Sequence, residues 1–155
     1  PAHPKTPQPA PPPPPPLHWT RPGLPAYAEL HCRSNFSFLT GASHPQELVE
    51  RAAQLGYAAI AITDECSVAG VVRAHAALKR LRENGDPPLP ALIIGSEFTL
   101  AASPTAPGCR LVLLAKNREG YAQICGLITL GRGRSAKGHY QLSVDDLDAP
   151  LAGQG

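Results

Sequence analysis

HCRSNFSFLTGAS, His31 to Ser43, breaks a short apolar run with residues that can hold metals or move protons. The same thing happens at AITDECS (Ala61 to Ser67) and at ALIIGSEF (Ala91 to Phe98). Each is strand-like, and the second overlaps YAAIAITD (Tyr57 to Asp64), a continuous apolar run of the kind expected of a strand buried on both faces. Each delivers a histidine or carboxylate at its C-terminal end: His31, Asp64 and Glu97. In α/β barrels and open α/β sheets, chemistry sits at that end of the strands, so the three predict a shared rim.

Working outward, strand-like and helix-like runs alternate. YAELHC (Tyr27 to Cys32) predicts the first strand. Ser43 reads as an N-cap with Gln46 completing a capping box and Pro45 in the first turn. The helix that follows carries Leu48, Val49, Ala52, Ala53 and Leu55 on one face and stops at Gly56. YAAIAITD (Tyr57 to Asp64) predicts the second strand, and a second helix is expected from about Ser67 to Glu83. Its apolar stripe is read as Val68, Val71, Val72, His75, Leu78 and Leu81, with Asn84-Gly85 and Pro87-Pro88 ending it. ALIIGSEFTL and RLVLLAKN (Arg110 to Asn117) predict a third and fourth strand joined as a hairpin or near-adjacent pair. A third helix runs from Arg118 to about Gly131, followed by a short strand at HYQLS and a helix start near Ser143. Strand, crossover helix and parallel strand repeated in this way predict an α/β fold. Four strands cannot close a barrel, so the chain reads as the first half of one.

The front of the chain is different. Residues 1 to 25 hold 12 of the 19 prolines and almost no periodic apolar pattern. Such a segment favours polyproline II and buries too little to offset its ordering entropy, which predicts a disordered proline-rich tail. The folded part is then residues 26 to 155. Lys5 and Arg21, both in the tail, account for the formal net charge of +2. The remainder is neutral, which argues against a strongly basic nucleic-acid face. The one local basic cluster, Arg132, Arg134 and Lys137, reads as a solvated helix end. Cys32, Cys66, Cys109 and Cys125 are widely spaced without a C-x-x-C pair, which fits a reducing cytosol better than a disulfide scaffold or zinc ribbon. No apolar run approaches the roughly 20 residues that span a bilayer, and no secretory signal is legible. The chain opens on Pro1 where a methionine would start a gene product, which reads as a missing front portion.

The motifs carry mixed chemistry. Alternate strand residues share a face, so a metal-binding strand would place a second imidazole two residues after His31. Arg33 stands there, and a guanidinium repels a cation. Asp64-Glu65 can bind a metal or complement the start of the following helix. Glu97 ends a strand where a carboxylate has little structural reason to be. Arg33 and Glu65, if they face each other, would form a salt bridge in place of a metal cluster. His75 reads as a core or half-buried histidine, while His3, His18, His44 and His139 carry no signal. Gly131-x-Gly133 neither follows a strand nor continues into a dinucleotide fingerprint.

These residues resemble the N-terminal PHP (polymerase and histidinol phosphatase) domain of bacterial C-family DNA polymerases, and within it the error-prone branch. The resemblance is carried by AELHCRSNFSFLTGASHPQELVERAAQLGYAAIAITDECSVAGVVRAH, by LIIGSEF and by LVLLAKNREGYAQICGLITLGR. It implies a distorted (β/α)7 barrel, of which about the first four strands are here. It also implies a parent DNA-directed DNA polymerase acting in damage tolerance, translesion synthesis and induced mutagenesis. The polymerising carboxylates and their Mg would lie beyond Gly155, which leaves no catalytic residue in this chain. The implied partners are DNA through the full-length polymerase, other damage-tolerance proteins and the sliding clamp, in the cytoplasm and with no membrane. In metal-binding relatives His31, Asp64 and Glu97 would be ligands. Arg33 replaces a second histidine, Thr40 an aspartate and Glu65 a histidine, so Zn or Mn binding at this degenerate site is expected to be poor and the segment to act as a scaffold. Two alternatives remain open: a stand-alone metal-dependent phosphoesterase, and an interaction module using the proline tail.

Overall fold

The computed structural model describes residues 26–85, 89–104 and 106–147. The proline-rich tail and Pro87-Pro88 lie outside the described residues. Four strands form one sheet in the order β1 (Ala28–Cys32), β2 (Ala59–Ile62), β3 (Ala91–Leu100) and β4 (Cys109–Leu114). The first two neighbours are parallel, joined by helices α1 (Pro45–Gln54) and α2 (Val71–Glu83). β3 and β4 form the expected hairpin, antiparallel from Gly95 opposite Leu114 to Leu100 opposite Cys109. Helix α3 (Arg118–Gly133) follows, and the chain ends its described part in a single 3-10 turn, Val144–Leu147, where a helix start was expected.

Helix α1 begins one residue later than the Ser43 cap predicts. Pro45 has φ preset for the first helical position and disfavours α geometry in the residue before it. His44 is therefore the N-cap, at φ −69° and ψ 148°, and its N–H donates to Glu47 Oε2 at 2.7 Å. The carbonyl of Ser43 instead accepts from Asn35 N at 2.8 Å and closes the β1–α1 loop.

Helix α2 also departs from its reading, in start and in face. Ser67 to Gly70 form a turn ahead of it, with Val71 N donating to Val68 O at 3.2 Å. The buried face is Ala74, Ala77 and Leu78, whereas Val72 is 74% exposed and His75 is exposed instead of in the core. The reason is size. The alanines let α2 approach α1 closely, and Val49, Ala52, Ile60 and Ile62 fill the space between the helices and the sheet. Each fully buried Val, Leu or Ile there contributes about 1.5–3 kcal/mol. A second core, under α3, holds Phe98, Leu100, Ile124, Leu127 and Leu142. HYQLS docks through one bridge, Ser143 to Ala101, not as a strand. Leu142 is seated against Gly131, where an added Cβ would lie 2.9 Å from Leu142 Cγ.

The helix face is directly testable by urea denaturation. Ala74→Leu overpacks the α1–α2 contact and is expected to destabilise by about 1–3 kcal/mol. Val72→Ala on the exposed side should stay within about 0.5 kcal/mol of the parent.

Candidate functional site: a cationic cluster on Glu97

Side chains alternate across each strand, and the register decides which rim residues meet. Glu97 lies opposite Val112 on β4, with the Thr99–Arg110 pair next along the same face. A bridge beyond the end of β2 sets Glu65 beside it. The Glu97 side chain has no exposed area. Arg33 holds it in a forked contact, Nε donating to Oε2 at 3.1 Å and a terminal nitrogen to Oε1. His31 Nε2 contacts Oε2, and Arg110 Nε lies 3.2 Å from Oε1. Both oxygens of one carboxylate thus serve two guanidiniums and an imidazole.

Burial alone would raise the Glu97 pKa. The hydrogen bonds from Arg33 and His31 more than offset it and hold the carboxyl below the ordinary range.

Asp64 is placed elsewhere. Its side chain shares no partner with that of Glu97. It is fully buried and accepts three hydrogen bonds, each of 2.7 Å: from Ser34 N, Ser34 Oγ and Ser37 Oγ. Gly70 passes so close that a Cβ there would sit 2.7 Å from Asp64 Oδ2. Glu65 does not pair with Arg33 as the sequence suggested. Its Oε1 accepts from Tyr140 OH at 2.9 Å and Thr99 Oγ1 at 3.5 Å. Burial pushes the Tyr140 phenol up; the Thr99 N–H opposes this and Glu65 adds to it. Thr40 is exposed, and its hydroxyl donates to Ser37 O at 3.1 Å, inside the loop's own turn.

The structure therefore joins His31, Arg33 and Glu97, adds Arg110, and leaves Asp64 and Thr40 out. Arg110 was readable only through the hairpin register, which sets it opposite Thr99. Ser34 and Ser37 had a fainter signal, two hydroxyls three apart before a buried aspartate. Tyr140 had none.

The donor set does not fit the metal centre that the sequence resemblance implies. Among the described residues no three His, Cys, Asp or Glu side chains gather as a group able to hold an ion. The Glu97 carboxylate is already engaged by the Arg33 and Arg110 guanidiniums, and a divalent ion beside them would be repelled.

The PHP domain family matches residues 29–149. The chain belongs to the PHP domain family. Its architecture is accordingly part of a PHP barrel, about half of the sheet being present. It is 64% identical over 127 residues to an error-prone DNA polymerase of Bordetella parapertussis, covering 82% of this chain and 11% of that protein. An error-prone DNA polymerase of Ralstonia nicotianae is 56% identical over 128 residues, covering 83% and 11%. The chain thus spans only about a tenth of the length of these relatives. An amidohydrolase structure from Chromobacterium violaceum superposes with a TM-score of 0.49 at 29% identity, over 70% of this chain and 34% of that one. Among the described residues no helix of this PHP segment is long and apolar enough to cross a membrane.

Two outcomes follow. A folded pKa depressed below the unfolded one gives stability that is present above about 4.3, the ordinary glutamate value, and is lost as pH falls toward the folded pKa. Unfolding free energy should therefore decline below that pH, and Glu97→Gln should flatten the decline while costing about 3 kcal/mol at pH 7. Asp64→Ala leaves three buried donors without an acceptor, and chemical denaturation should show a loss of about 3 kcal/mol or more.

Proposed function

We propose that this chain is the N-terminal part of an error-prone DNA-directed DNA polymerase, acting in translesion synthesis and induced mutagenesis. In this reading the PHP segment is a scaffold that has lost metal-dependent hydrolysis. The identity to polymerases over 127 residues supports the parentage, and the Arg33–Glu97 fork is the observation that carries the scaffold role. Polymerisation, with its Mg, would reside in the parent outside this chain. DNA, the sliding clamp and other damage-tolerance proteins would be partners of the whole cytoplasmic polymerase.

The other reading is a metal-dependent phosphoesterase, favoured by the adjacency of His31 and Glu97. The two differ in metal linkage. A site on the folded state saturated at a hundred times its dissociation constant would stabilise by about 2.7 kcal/mol. We expect zinc or manganese to leave the melting temperature unchanged, and the purified chain to carry substoichiometric metal by elemental analysis. Manganese-dependent hydrolysis of p-nitrophenyl phosphate, abolished by His31→Ala, would instead establish the phosphoesterase. For the parentage, the whole gene product should extend a primer opposite an abasic site with Mg, and failure on both damaged and intact templates would overturn it.

A further inference from the structure

A groove of about 490 Å³ lies beside the Glu97 cluster, between the β1–α1 loop and the segment after α3. Phe36, Phe38 and Tyr140 line it, three of the eight aromatic residues in the whole chain. Two of these rings carry an arginine: Arg73 sits 5.6 Å from the Phe36 centroid and Arg132 5.6 Å from that of Tyr140. Arg132 and His139 also line the groove, and exposed Lys137 stands next to its lining residue Gly138.

Phe38 is 83% exposed and Leu39 beside it fully so, at the tip of the loop. The tip is held rigidly. Ser37 O accepts from Thr40 N and Gly41 N at 3.1 and 2.9 Å, and Ser37 Oγ is tied to Asp64. Leu39 has φ +66°, a left-handed conformation that a branched residue adopts only under constraint. The hydrogen-bonded backbone of the tip thus presents two apolar side chains to water.

The groove carries both signs of charge, with the cations on the side of the segment after α3. The Arg132 guanidinium donates to carbonyls, Cys66 O at 3.2 Å and His139 O at 3.4 Å, so those bonds leave its charge unneutralised. Glu65, the acid in the lining, is hydrogen-bonded by the neutral hydroxyls of Tyr140 and Thr99 and likewise keeps its charge, so a phosphate backbone would follow the Arg132 side of the groove. Arg134 is neutralised by Asp146 at 2.8 Å, which leaves Arg132 and Lys137 as the cations of the basic cluster that remain for a ligand. Stacking rings with cations alongside is the arrangement that takes unpaired bases and their phosphates, because every base has a π-face.

We propose that this groove binds single-stranded DNA, with unpaired bases stacked on Phe38 and Phe36 and the backbone drawn along Arg132, Lys137 and His139. The choice of DNA rests on the polymerase parentage, but the measurement does not. Fluorescence anisotropy of a labelled oligothymidylate with the 155-residue chain should give saturable, salt-dependent binding that a duplex of equal length does not match. Phe38→Ala should weaken it by about fivefold to a hundredfold while leaving the thermal melt unchanged, because the ring is exposed. Lys137→Gln should reduce the slope of log affinity against log salt by about 1. Arg82→Gln, an exposed cation on α2, should change neither. Equal binding of parent and Phe38→Ala would overturn the proposal. Equal affinity for duplex, or no binding at 50 mM salt by a cooperatively melting chain, would also overturn it. Polymerase activity of the whole gene product is read in a separate assay, so either result can fail without the other.

Discussion

Everything on the rim depends on the Asp64 carboxylate, sealed under the β1–α1 loop by Ser34 and Ser37. A charge placed there must be satisfied by donors at hydrogen-bonding distance or the fold loses several kcal/mol. The two serines supply them, and each is used twice. Ser34 Oγ accepts from Phe36 N at 3.2 Å, and Ser37 Oγ accepts from Glu65 N at 2.9 Å. One buried acid therefore fixes the end of β2, the course of the loop and the exit direction of β1. That exit direction brings Arg33 onto Glu97, and the loop course lifts Phe38 into solvent.

Two acids that are neighbours in sequence divide between two tasks because of strand alternation. Asp64 serves the loop, whereas Glu65, displaced to the other face, meets Thr99 and Tyr140. Tyr140 then links the rim to the last described segment. Its hydroxyl accepts from Thr99 N at 2.7 Å while donating to Glu65, and Arg132 covers its ring. The same guanidinium holds the carbonyl of Cys66, whose φ of +45° is another constrained position. Burial raises the Cys66 thiol pKa and Arg132 opposes it, so a buried cysteine and an exposed arginine close one joint.

Much of this was legible in the sequence, and the misses have physical causes. β3 ran from Ala91 to Leu100 as its apolar run predicts, because a strand buried on both faces writes its length directly. The cap of α1 slipped by one residue because Pro45 imposes its own position more strongly than a serine hydroxyl attracts the backbone. The face of α2 was misread because hydrophobicity weights Val72 above Ala74, while close helix packing selects the smaller side chain. His31, Arg33 and Glu97 could be nominated as strand ends, yet their grouping required the register, and Arg110 came only with the hairpin. A loop held by side-chain hydroxyls, like Ser34 to Gly41, leaves almost no periodic trace.

Asp64 is satisfied by neutral donors, whereas Glu97, inside β3, is held by cations, a task that either a metal ion or a guanidinium can perform. The two solutions differ in what remains available. A metal leaves open coordination positions where water or a phosphoryl oxygen can be activated. Arg33 fills its bonds to Glu97 in a planar fork and offers no such position. It also cannot dissociate, because it is covalently part of β1's continuation. The Arg33–Glu97 fork is an electrostatic brace between the continuation of the first strand and the third. The scaffold role proposed for this PHP segment draws on that brace: Arg33 and Glu97 tie the two strands together through their own side chains.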